Sequence, residues 1–218
     1  MSTSTFTSVD GIPGLTRVES TSPEEMIAEC MAMTRPAYPH EQVYGRYCTL
    51  EEFVDCPPEQ AYDYLRQGHH LEEWTFSVRG FEPAGRPGLW VGEDRLEPGT
   101  RIFCRVEANP EAMTVDYHCA WDQGDSLWMI YLMRVLPAAL VLGRPGSVIT
   151  WTNCRHPHYD ANPFPQHAPR PDRPWIGEFW DLFHAGHLVE MRNLKTILEH
   201  RHGNGEPVSR SPLRAVSR

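Results

Sequence analysis

The stretch that most limits what this chain can fold into runs from Trp175 to His202. Pro174 precedes it, at a position where a missing amide proton costs nothing, and Gly203 follows it, where a helix ends on a left-handed residue. A single helix over this stretch is about 42 Å long, well beyond the usual length of ~11–12 residues. At about 100° per residue, Ile176, Trp180, Phe183, His187, Met191, Leu194 and Leu198 fall on one stripe. Phe179, Glu190 and Ile197 flank it, while Asp181, Arg192, Lys195 and Glu199 lie opposite. Two ionisable residues, His187 and Glu190, therefore sit on a face otherwise made for burial. A buried carboxylate must be paired, ligated or protonated.

Length and charge narrow the class. The chain has 218 residues, enough for one domain with appendages. A net charge of −9 excludes nucleic acid as a partner, because that role needs a basic face. Lys195 is the only lysine. No run of about 18 apolar residues exists, so no membrane span is expected. The opening MSTSTFTSVDG does not read as a secretory signal. The six cysteines are scattered without a C-x-x-C, as core thiols in a reducing cytoplasm are.

Residues 1–45 read as an extension with one short helix. Ser22-Pro23-Glu24-Glu25 forms a capping box that starts it, and Pro36 is expected to stop it after about Met33. The helix packs on the outside of the main domain, or serves a dimer contact. Residues 46–202 read as the main domain and 203–218 as a disordered polar tail. Within the main domain the order is one strand (Tyr47–Asp55), two short helices (Glu59–Arg66 and His69–Trp74), then six more strands. These are Thr75–Phe81, Leu89–Arg95, Arg101–Glu107, Met113–Trp121, Leu127–Leu136 and Ser147–Arg155. Tight turns such as Glu97-Pro98-Gly99 separate them, as in an antiparallel meander. A sheet with its helices on one side is α+β. Between the last strand and the long helix, His156 to Pro174 contains six prolines and is either a lid or a solvated connector.

A first strand ending in Val54-Asp55-Cys56-Pro57-Pro58-Glu59 and running on to Leu65, then His69 to Trp74, a meander and a long last helix, resembles the START-like (SRPBCC) helix-grip superfamily. The opening is similar to that of its polyketide cyclase/dehydrase branch. The resemblance implies a curved sheet gripping the last helix, with an elongated cavity between them. It also implies a small hydrophobic or aromatic ligand, which members carry, cyclise or dehydrate. A phloroglucinol/phloretin hydrolase branch cleaves carbon–carbon bonds with zinc, using a His-x-x-x-Glu pair on that helix. Here Glu190 follows His187 after two residues, and Met191 holds the fourth position.

Three functions are open on these residues. The first is cyclase, aromatase or dehydratase chemistry, with no cofactor. Trp74, Phe76, Trp128, Tyr131, Trp151, Phe179 and Phe183 would hold an aromatic or polyketide-like substrate. His187 would move protons, held near its working pKa by Glu190, with Asp116 or His118 of the fifth strand assisting. The second is a hydrolase or lyase in which His118, His187 and Glu190 bind a divalent metal such as zinc. The third is a carrier, in which Glu190 simply pairs with a strand arginine such as Arg134 or Arg155. His156-Pro157-His158 is a weaker metal motif. Strand alternation leaves open whether Asp116 and His118, or Tyr117 and Cys119, face inward.

Overall fold

A computed structural model describes residues 8–37, 45–122, 126–167 and 172–209. The seven strands are β1 (Tyr47–Val54), β2 (Val78–Pro83), β3 (Leu89–Asp94), β4 (Thr100–Asn109), β5 (Thr114–Trp121), β6 (Met129–Pro137) and β7 (Ser147–Cys154). They form one antiparallel sheet in the order β1-β7-β6-β5-β4-β3-β2. The helices are α1 (Pro23–Ala37), α2 (Pro58–Leu65), α3 (Leu71–Trp74), α4 (Ala138–Val141) and α5 (Phe183–Gly203). The expected α+β order, meander and gripped terminal helix are all present.

The sheet owes its register to alternation. On β5, Val115, Tyr117 and Cys119 are buried, while Asp116 and His118 between them point to the other face. Consecutive hairpins keep each strand beside its sequence neighbour from β2 to β7. Only β1 joins from outside the meander, closing the sheet against β7 with Cys48 opposite Asn153.

α5 divides along its length. Its second half, with Met191, Leu194, Ile197 and Leu198, packs against Val54, Leu65, Met133 and Ile149 to fill the core. Beneath that core a buried ion pair joins Arg201 to Glu73 at 3.0 Å, and Tyr64 donates its hydroxyl to the same carboxylate at 2.8 Å. On the far side of α5, Lys195 bonds the Phe53 carbonyl and Glu52, and Glu199 accepts the Asp55 amide at 2.8 Å. The polar face thus rims β1 rather than lying in open solvent.

Three boundaries differ from the expected ones. The segment Ile176–Leu182 is a 3-10 helix, and the α-helix begins only at Phe183. Gly177 passes directly beneath the backbone of Tyr159, where a Cβ would overlap the Tyr159 carbonyl. Ser22 and Glu25 exchange capping bonds at 3.1 and 3.2 Å as the sequence implies, but α1 continues past Met33 and Pro36 to Ala37. After Gly203 the chain does not leave the domain at once. Arg201 donates to the Val208 carbonyl, and Val208 is buried in the core. Residues 210–218, the rest of the expected tail, lie outside the described residues.

Candidate functional site

Where α5 leaves off filling the core, a cavity of about 420 Å³ opens between its first half and the sheet. The inward phase of strands β4 to β7 supplies one wall: Ile102 and Cys104 from β4, Tyr117, Cys119 and Trp121 from β5, Met129 and Tyr131 from β6, and Trp151 from β7. Trp74 and Phe76 enter from the end of α3 and the segment after it. Phe179, Phe183, His187 and Glu190 recur at helical spacing on the opposite wall. Gly186 lies among them without a side chain, which leaves room for a ligand beside His187.

The aromatic walls are ordered by ring contacts. Trp74 stands edge-on to Trp151, with ring centres 5.6 Å apart. The His187 ring stacks on Trp151 at 4.4 Å and meets Phe183 and Tyr131 edge-on at 4.9 and 5.7 Å. Its Nδ1 is buried without a hydrogen-bond partner. Burial, and secondarily the nearby His184, pushes the His187 imidazole down to about 3. It is therefore neutral at physiological pH.

Glu190 behaves in the opposite way. Burial drives its carboxyl up to about 7, against a hydrogen bond that its Oε1 accepts from the Phe76 amide at 2.9 Å. The negative charge of Asp94 adds to the rise and Arg79 opposes it. Glu190 is thus the group in this cavity that can both hold and release a proton near neutrality. The expected assignment is reversed: Glu190 does not hold His187 near a working pKa, because it turns to the Phe76 amide. Nor does it pair with the strand arginines. Arg134 is on the exposed face of β6, and Arg155 bonds Asp160 at 2.9 Å.

Other expected site residues lie elsewhere. Asp116 and His118 occupy the outer phase of β5, where the His118 ring lies 3.5 Å from Glu107 of β4. They cannot assist catalysis in the cavity. The proposed metal set of His118, His187 and Glu190 therefore does not converge. No group of three His, Cys, Asp or Glu side chains able to hold a metal ion occurs among the described residues. His156 and His158 face each other edge-on at 4.2 Å, but His156 Nδ1 accepts the His158 amide. Trp128 lies outside the cavity, stacked on Trp175 at 5.8 Å and edge-on to Tyr159 at 4.7 Å. Trp74, Phe76, Tyr131, Trp151, Phe179 and Phe183 all line the cavity as expected.

Several lining residues escaped the sequence reading. Asp94 at the end of β3 is buried, accepting the Trp121 indole N–H at 3.3 Å and the Leu96 amide at 3.0 Å. Met26, Ile27 and Cys30 come from α1, which is a wall of the cavity rather than an external ornament. Met26 and Cys30 pack with Phe76, Ala185 and Val189 in a small cluster of their own. The capping box located α1 in the sequence, but no local signal says what it covers. From the loop after β7, Tyr159 enters the core and Pro174 reaches the cavity. Burial raises the Cys30 thiol to about 11, so it offers no thiolate at neutral pH.

No protein-family pattern matches the sequence, and no curated protein matches it. Several solved structures align with the chain at low identity. The Zhui aromatase/cyclase from Streptomyces sp. R1128 is 13% identical, with a TM-score of 0.49 over 72% of this chain and 95% of that one. A START superfamily protein from Mycobacterium smegmatis is 11% identical, with a TM-score of 0.48 over 72% of this chain and 99% of that one. A protein from Chromobacterium violaceum is 18% identical, with a TM-score of 0.46 over 71% of this chain and 98% of that one. Among the described residues no helix is long and apolar enough to cross a membrane. The seven-stranded antiparallel sheet, the two short helices after its first strand and the terminal helix held across the cavity form a helix-grip arrangement of the α+β class.

Proposed function

We propose that this protein binds a flat, mostly apolar aromatic or polyketide-like molecule in its cavity and catalyses cyclisation, aromatisation or dehydration by proton transfer through Glu190. The observation that supports this reading most is a carboxyl group with a pKa of about 7 on the wall of a 420 Å³ aromatic cavity. A general acid/base works best when its pKa lies near the working pH. In that role ionised Glu190 removes a proton from a carbon next to a ligand carbonyl. Protonated, it returns the proton to an oxygen that leaves as water. His187, neutral and stacked on Trp151, donates or accepts a hydrogen bond at the ligand oxygen without adding charge. A neutral imidazole in this place polarises a carbonyl rather than ionising it.

The test pairs binding with turnover. Quenching of tryptophan fluorescence should report a hydroxynaphthalene or a similar flat phenol entering beside Trp74 and Trp151. Glu190→Gln keeps an oxygen for the Phe76 amide but cannot exchange a proton. It should lower turnover of an aromatic polyketone by about a hundredfold or more, with a much smaller change in binding. Undiminished turnover in Glu190→Gln would remove Glu190 from the mechanism. One observation favours a carrier instead: Glu190 already serves the structure by accepting the Phe76 amide. Saturable binding without turnover of any aromatic polyketone would support that second reading.

A further inference from the structure

Every described ionisable side chain that lines the cavity, other than tyrosine, cysteine and neutral His187, is a carboxylate. Glu190 is on the helix wall, Asp94 is on the sheet wall, and Glu24 and Glu97 also line the cavity. Among the described residues no lysine or arginine lines it. The guanidinium groups nearest these carboxylates are engaged elsewhere. Arg79 is clamped by Glu19 through two contacts of 2.7 Å and by the carbonyls of Thr75, Phe76 and Val78. Arg173 lies over the Trp121 ring but pairs with Asp122 at 3.1 Å.

We infer that the ligand of this cavity carries a cationic nitrogen, such as a protonated amine on an aromatic frame, and that the cavity excludes ligands bearing a carboxylate or phosphate. The inference rests on the reading of the cavity as an aromatic small-molecule site and narrows it to one charge class. Two features of the walls support it together. The rings of Trp74 and Tyr131 line the same cavity, and an aromatic ring attracts a cation through the negative potential over its face. A carboxylate ligand would meet Asp94 and Glu190 with no cationic side chain among the described lining residues to neutralise it, and like charges in a partly desolvated space repel strongly. His187 adds an imidazole with an unpartnered buried Nδ1 to the same wall.

The charge of the ligand also sets how binding responds to pH. The groups whose charge acts on or answers to Glu190 are Asp94 on β3, the clamped Arg79 on β2, Cys30 on α1 and Tyr131 on β6. A cation beside it favours the ionised carboxylate. Binding of an amine should therefore release a proton and tighten as pH rises through about 7. Binding of a neutral analogue should not tighten.

The experiment uses three probes with one frame: 2-naphthylethylamine, 2-naphthylethanol and 2-naphthylacetic acid. Each is titrated into the full-length protein with tryptophan fluorescence as the readout. The amine should bind at least about tenfold tighter than the acid and several-fold tighter than the alcohol. In Glu190→Gln the ratio of amine to alcohol affinity should shrink several-fold and lose its pH dependence. If the acid binds as tightly as the amine, or the alcohol binds tighter than the amine, the cation assignment is overturned while the aromatic site stands. If none of the three binds, both the site and its charge class are overturned.

Discussion

Replacing Glu190 with glutamine should turn a pH-dependent protein into a less pH-dependent one, and the size of the effect follows from the structure. The carboxyl is displaced from an ordinary 4.5 to about 7 by burial. Between those two values the folded state holds a proton that the unfolded state has released. Stability contributed by this group is complete below about pH 4.5 and is lost as pH rises through 7. The displacement corresponds to about 3 kcal/mol, an upper figure because the side chain retains surface on the cavity. Glutamine preserves the acceptor for the Phe76 amide and has no proton to lose. Urea unfolding of the two proteins should therefore agree at about pH 4 and differ by up to about 3 kcal/mol at about pH 8, with the glutamine variant the more stable. The difference between the proteins matters, rather than either curve alone. His187 and His70 are pushed down to about 3 and 4, so they favour the folded state as pH rises and mask Glu190 in the wild type. Unfolding free energies that stay parallel from about pH 4 to about pH 8 would refute the buried, proton-holding Glu190.

Other consequences are independent of that titration. His187→Gln should lose about 0.5–1.5 kcal/mol of stability from its ring contacts with Trp151 and Phe183, while any turnover keeps a pH midpoint near 7; a midpoint that vanishes with His187 would return the proton transfer to the imidazole. Glu73→Gln strands Arg201, whose side chain is fully buried, and should cost about 3–5 kcal/mol in urea unfolding; a loss under about 1 kcal/mol would mean the pair is not buried as described. Gly177→Ala places a methyl group into the Tyr159 backbone and should lower stability by at least about 1–3 kcal/mol, whereas an unchanged melting temperature would contradict the close passage of those two segments.

Much of this was legible in the sequence for specific reasons. Pro174 marks the start of the helical run from Ile176, but Gly203 is its last helical residue and the left-handed glycine is Gly205; the stripe of Trp180, Phe183, Met191, Leu194 and Leu198 is buried as the wheel requires. The turns between strands name a meander, and the run from Val54 to Trp74 names the two short helices. Six cavity aromatics were found because large rings at inward positions have few other uses. Asp116 and His118 stood as open candidates because alternation supplies a period and not a phase, and Trp128 lies outside the cavity for which it was a candidate. Both phases of β5 contain residues suited to a cavity, and only packing against α5 selects Tyr117 and Cys119.

The sequence by itself determined the elements, their order, the antiparallel sheet and the presence of two ionisable groups on a buried helix face. These are set by local chemistry and by short-range periodicity. Tertiary structure alone decided what those groups do. Glu190 meets the Phe76 amide, 114 residues away in the chain, and not His187 three residues earlier. Asp94 comes from another strand to raise its pKa, and α1 comes from the other end of the chain to complete the wall. Protonation is governed by desolvation and by charges close in space, and neither is a function of distance along the chain.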